Sequence, residues 1–136
     1  MKEKVYIDSN IFVYAAINNE KEGEKAREIL KKVKEGTWEG TSSLLTIDEV
    51  LWIIQKNVGK EMAHEIICTI LIYPNMHFVD ITKSLISEAI YIYKQKNLDP
   101  RDAIHLATMN FKNTSIIATN DADFDHIDGK KRIKLN

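Results

Sequence analysis

The chain has 136 residues, 44% hydrophobic and 29% charged, with a net charge of −1. That size and apolar content exclude a disordered chain and suit one domain with its own core, expected over residues 1–136. The near-zero charge excludes a strongly basic binder that draws nucleic acid from a distance, so any hold on a polyanion must come from a bound cation or a local basic patch.

Met1-Lys2-Glu3-Lys4 leads directly into the strand-like run Val5-Tyr6-Ile7, so no secretory leader is expected. Helical spacing follows at Ala26, Ile29, Leu30 and Val33. Trp38 to Thr41 reads as a second strand, and Ile47, Val50, Leu51, Ile54 and Val58 repeat at helical spacing. Met62, Ile66, Ile67, Ile70 and Leu71 mark another helix, stopped near Pro74. The only cysteine, Cys68, lies in this stretch; it allows no internal disulfide and is expected in the core. His77 to Ile81 reads as a third strand. Two more helical patterns follow, Ile86-Ala89-Ile90-Tyr93 and Ala103-Ile104-Ala107-Phe111. Ser115 to Thr119 reads as a fourth strand, and Arg132 to Leu135 as a fifth. No apolar run approaches the roughly 20 residues a bilayer span needs, and a cytoplasmic setting is expected. Strands separated by helices or helix pairs predict an α/β/α sandwich, with a mostly parallel sheet covered on both faces.

The informative feature is where the carboxylates fall. Asp8 closes the first strand, Glu49 is placed in the first turn of the helix after the second strand, and Asp121 follows the fourth strand. Asp102 opens a helix in Asp99-Pro100-Arg101-Asp102. In a parallel sheet, strand C-termini and the helix N-termini after them share one edge, where ligands bind. Four acids converging there would repel and raise one another's pKa, a cost that a hard divalent cation removes.

Each acid also has a local reading. Thr46-Ile47-Asp48-Glu49 matches a capping box, Asp99-Pro100 suits a helix N-cap and first position, and Asp121 suits a turn cap. Asp8 is harder to explain this way, because an acid ending a buried strand needs a partner. Asp123 is a candidate extra acid. Asp99 reads as a cap, Asp48 as solvated, Asp125 and Asp128 as turn residues, and Asp80 as lying outside the site. Ser9, Asn10, Thr119 and Asn120 are candidates to orient the carboxylates. His105, one turn after Asp102, reads as a packed helix histidine rather than a ligand. His64, His77 and His126 lack metal-ligand spacing.

With these residues set out, the chain resembles the PIN-domain family, and within it the VapC-like toxin nucleases. The resemblance rests on Ile7-Asp8-Ser9-Asn10-Ile11-Phe12-Val13-Tyr14, Thr46-Ile47-Asp48-Glu49-Val50, Arg101-Asp102-Ala103-Ile104-His105-Leu106-Ala107-Thr108 and Ala118-Thr119-Asn120-Asp121-Ala122-Asp123-Phe124. It covers nearly the whole chain; the glutamate segment alone is weak, and Asp48 adds a charge without an assigned effect. The resemblance implies a five-stranded parallel sheet of order 3-2-1-4-5. It implies Asp8, Glu49, Asp102 and Asp121 as a catalytic acidic site, with Asn10 and Thr119 in support and Asp123 as an occasional extra acid. It further implies Mg2+- or Mn2+-dependent RNA cleavage, homodimerisation and, in the toxin branch, a small antitoxin partner.

On this reading Asp8 and Asp102 bind the main metal, Asp121 completes its shell, and Glu49 orients or deprotonates the attacking water. Four rivals stand beside it. A phosphatase with an Asp after its first strand wants a second Asp where Asn10 stands. A phospho-receiver domain wants an acidic pair where Asp8 stands alone. A PIN-like metal- or partner-binding module without turnover, or a PIN nuclease in RNA processing rather than a toxin, fits the same residues.

Overall fold

The central strand, β1 (Glu3–Ile7), is short, β-branched and aromatic, and buries Val5, Tyr6 and Ile7 completely. The computed structural model describes residues 2–136, so Met1, the start of the expected 1–136 unit, lies outside it. β1 pairs with β2 (Trp38–Ser43) on one side and β4 (Ile116–Ala118) on the other. β3 (Met76–Val79) and β5 (Lys131–Ile133) form the edges. All four pairings are parallel, and the order is β3-β2-β1-β4-β5, as the resemblance implied. The strands match the apolar runs to within two residues at each end.

Strand alternation divides the core in two. Val5 and Ile7 face a cluster built with α1 (Ser9–Ile17), α2 (Lys21–Lys34), α3 (Leu44–Val58) and α4 (Lys60–Leu71). Tyr6 and Ile117 face a second cluster, built with α5 (Lys83–Lys96) and α6 (Pro100–Phe111). In α2 the buried residues Ala26, Ile29, Leu30 and Val33 form one stripe, and lysines and glutamates cover the rest. Each large side chain buried in these clusters contributes roughly 1.5–3 kcal/mol. Thr82 starts α5 by accepting a hydrogen bond from the Leu85 amide, and Asn97 ends it in the left-handed conformation.

Two features depart from the sequence reading. Helix α1 carries no periodic signal, because Ile11, Phe12, Val13, Ala15 and Ile17 place apolar groups on every side. Cys68, expected in the core, is exposed on α4; Ile70, Ala63 and the partly buried Ile66 and Ile67 form the inward stripe instead.

Gly40 lies where β2 passes beneath α2. A Cβ there would overlap the Met76 sulfur and come within 2.9 Å of Val33 Cγ1. The close approach of β2, β3 and α2 therefore depends on that missing side chain.

Candidate metal centre

Chain direction reverses its spread across the sheet at β1: β2 and β3 follow on one side, β4 and β5 on the other. The C-terminal ends of β1 and β4 therefore form the crevice where parallel sheets bind ligands. Asp8 leaves β1 there. Its backbone N–H continues the ladder to the Ala118 carbonyl, and its Oδ1 accepts the Ser9 amide at 2.7 Å, capping α1. Its Oδ2 accepts the Thr119 hydroxyl at 2.6 Å and Asn10 Nδ2 at 3.3 Å. Thr119 in turn accepts from Asn10 Nδ2 and from the Asp121 amide, each at 3.0 Å. Asn10 Oδ1 accepts the Asn120 amide at 3.0 Å. Asn10 and Thr119 thus tie the two loops together around Asp8.

Glu49 arrives from β2. The α3 N-cap is Ser43, whose hydroxyl accepts the Leu45 amide, so Glu49 lies in the second turn rather than the first. The capping-box reading of Thr46 and Glu49 fails for the same reason. Thr46 is buried inside the helix and shares a 2.7 Å hydrogen bond with Ser42, which donates to the Ile7 carbonyl at 2.7 Å. These hydroxyls fasten the start of α3 to the end of β1 and bring Glu49 towards Asp8.

His105, from the first half of α6, is 1% exposed and lies between these groups. Its Nε2 stands 2.9 Å from Glu49 Oε1 and 3.7 Å from Asp8 Oδ1, and its Nδ1 stands 2.6 Å from the Tyr6 hydroxyl. Burial pushes its pKa down, but the hydrogen bond to Glu49 and the charges of Asp8, Glu49 and Asp102 outweigh burial and leave it raised. His105 is buried, as a packed histidine would be, and its Nε2 also faces the carboxylates of Glu49 and Asp8. The sequence signal was its position three residues after Asp102, which places both on one helix face.

Asp102 lies in the first turn of α6, Asp121 caps the 3₁₀ turn Ala122–His126 by accepting the Asp123 amide, and Asp123 follows. The turn between α5 and α6 brings Asp102 beside the β4 loop. Glu49, Asp102, Asp121 and Asp123, with Asp99, Pro100 and Arg101, line one cavity of about 630 Å3. Burial, then the charges of Asp121, Asp8 and Asp123, push the Asp102 pKa up to about 6, against a partial offset from His105.

The acids form two adjoining groups: one carboxylate oxygen each from Asp102, Asp121 and Asp123, and one each from Asp8 and Glu49 with a His105 nitrogen, lie within 4.8 Å of one another inside each group. Among the described residues, no lysine or arginine pairs with any of these five acids. Crowded oxygen donors without a lysine or arginine partner suit a hard divalent cation. The other acids fall outside: Asp48 is exposed, Asp80 lines a separate cavity near the start of α5, and Asp125 pairs with Arg132 at 2.7 Å. Asp99 occupies the N-cap position of α6, but its side chain makes no capping bond and lines the acidic cavity.

The PIN-domain family model matches residues 5–130, and the chain belongs to that family. No curated protein matches the chain. Several solved structures share its fold. The VapC20 toxin of Mycobacterium tuberculosis, described as cleaving the sarcin–ricin loop, superposes with a TM-score of 0.76 at 14% identity, over 89% of this chain and 92% of that one. A chain of the DNA-bound VapBC of Salmonella typhimurium gives 0.74 at 16% identity, over 98% and 99%. A chain of a toxin–antitoxin complex from Klebsiella pneumoniae gives 0.69 at 18% identity, over 97% and 98%. The α/β fold is therefore VapC-like as well as PIN-like.

Proposed function

We propose that the protein is a divalent-metal-dependent endoribonuclease, the toxin half of a toxin–antitoxin pair, acting on RNA phosphodiesters in the cytoplasm. The observation that carries this reading is the convergence of Asp8, Glu49, Asp102, Asp121 and Asp123 at the switch point of a PIN-family sheet with no lysine or arginine paired to them among the described residues. Asp8 and Asp102, with Asp121, would hold Mg2+ or Mn2+. Bound there, such a cation would neutralise phosphate charge and lower the pKa of a water, the two effects without which an RNA backbone resists attack. Glu49 orients the attacking water and takes its proton. Asn10 and Thr119 fix Asp8, and Asp123 adds negative charge at the cavity rim. Arg101, also on that rim and without a carboxylate partner among the described residues, meets a phosphate of the incoming strand.

Two apolar surfaces support protein partners. An apolar groove of about 360 Å3 between α1, α2 and α4 is lined by Phe12, Leu30, Ile66, Ile70 and Tyr73, which suits an antitoxin segment. On α5, Ile90, Tyr91 and Tyr93 are exposed, which suits a homodimer contact. The solved complexes of similar fold contain antitoxins, in keeping with such a partner.

The test is cleavage of a panel of structured and single-stranded RNAs by metal-stripped protein, with Mg2+ or Mn2+ restored. Wild-type protein is expected to cut only with metal, and Asp8→Asn to fold normally and not cut. Metal binding without cleavage of any RNA would favour the non-catalytic module instead.

A further inference from the structure

Tyr6 and His105 have no part in the proposed chemistry, yet both are buried, and short hydrogen bonds link Tyr6 to His105 and His105 to Glu49. Tyr6 is fully enclosed in the sheet, and its hydroxyl meets His105 Nδ1 at 2.6 Å. On the far side of the ring, Nε2 meets Glu49 Oε1 at 2.9 Å. A carboxylate only accepts hydrogen bonds, so the 2.9 Å contact requires a proton on Nε2. Neutral histidine with that proton leaves Nδ1 as an acceptor, and the Tyr6 hydroxyl supplies the donor it needs. If the ring takes up a second proton, Nε2 still carries the first, and the bond to Glu49 persists.

We infer that His105 is a positioning residue for Glu49, fixed by Tyr6, and not a metal ligand. Its Nε2–H occupies one carboxylate oxygen and leaves Oε2 of Glu49 for the water that the proposed nuclease activates. The inference rests on that reading for the task of Glu49, but not for the hydrogen-bond chain. A ligand role would need the opposite arrangement: a proton on Nδ1 donated to the tyrosine oxygen, and a bare lone pair on Nε2. The two arrangements differ by the place of one proton.

The test uses the full chain with 15N-labelled histidine, the His105 resonances being assigned by comparison with His105→Gln. Nε2 is expected to carry a proton both in EDTA and at saturating Mg2+. Loss of that proton when Mg2+ is added would make His105 a ligand and overturn the inference. Tyr6→Phe removes the hydroxyl that sets the ring. It is expected to lower kcat on RNA by about 10–100-fold, with KM and the calorimetric Mn2+ affinity each within about threefold of wild type. His105→Gln, which retains an N–H donor, is expected to keep more activity than His105→Leu. A folded His105→Leu variant with wild-type kcat would overturn the inference, and if neither His105 variant folds, the Tyr6→Phe kinetics and the wild-type spectra decide it. Wild-type protein that cuts no RNA would end the nuclease reading while the Nε2 proton still decides between positioning and ligation.

Discussion

Thr119 donates its hydroxyl proton to Asp8 across 2.6 Å, although the two residues stand 111 positions apart. The hydroxyl has only one proton, so its lone pairs serve the Asn10 amide and the Asp121 backbone N–H. One buried side chain therefore orients the acid that ends β1 and fixes the backbone of the acid that follows β4. This hydroxyl therefore ties the loop after β4 to the end of β1 at the switch point.

Thr119→Val keeps the shape and removes the hydroxyl. It leaves Asp8 one donor short and strands two N–H groups, a cost of about 1–3 kcal/mol. Thermal denaturation in EDTA is expected to show Tm lower by several degrees, and calorimetry to show Mn2+ affinity about 10–100-fold weaker. Thr119→Ser restores both. A valine variant with wild-type affinity would show that Thr119 only fills space.

Asp102 is expected to lower stability in the metal-free protein. Its folded-state pKa of about 6 exceeds the ordinary 3.8. At pH 7.5 the carboxylate is ionised in both folded and unfolded chains, and the folded chain bears the crowding. As pH falls through 6 the folded form takes up the proton first, and the penalty is gone below the unfolded value. Asp102→Asn should therefore stabilise metal-free protein at pH 7.5 by about 1 kcal/mol, after allowing for solvent screening at this half-exposed group. The gain should shrink towards pH 4, and saturating Mg2+ should stabilise wild type but not the variant. Denaturation curves at the two pH values check this; a variant less stable than wild type at pH 7.5 would contradict it.

Gly40→Ala separates fold from site. The added methyl meets Met76 and Val33 beneath α2, far from the acids, and overpacking of this kind costs about 1–3 kcal/mol. Tm is expected to fall while Mn2+ affinity of the folded fraction stays at the wild-type value. Unchanged Tm would mean that β2 and α2 separate more easily than their packing indicates.

The alternation of Val5, Tyr6 and Ile7 and the stripe of α2 made the layers legible, because each buries one side against a partner. Helix α1 escaped because it is apolar all round, and period alone cannot show a helix without a polar face. Cys68 was misplaced because a run of apolar neighbours does not reveal which side of a helix faces inward. At the site, the positions of Asp8, Asp102 and Asp121 after strands or at a helix start placed them at one edge. The helix start before Glu49 was read too late because Thr46 imitates a cap, whereas Ser43 is the residue at the strand end. The bond between His105 and Glu49 joins residues 56 positions apart, and no local pattern reports it.

Anomalous diffraction from crystals soaked in Mn2+ tests most directly whether these acids form a metal site. One strong peak is expected within about 2.0–2.3 Å of carboxylate oxygens from Asp8 and Asp102, with Asp121 adjacent, and it should vanish in Asp8→Asn crystals. Fully soaked wild-type crystals with no peak between β1 and β4, or with manganese bound only elsewhere, would contradict the account.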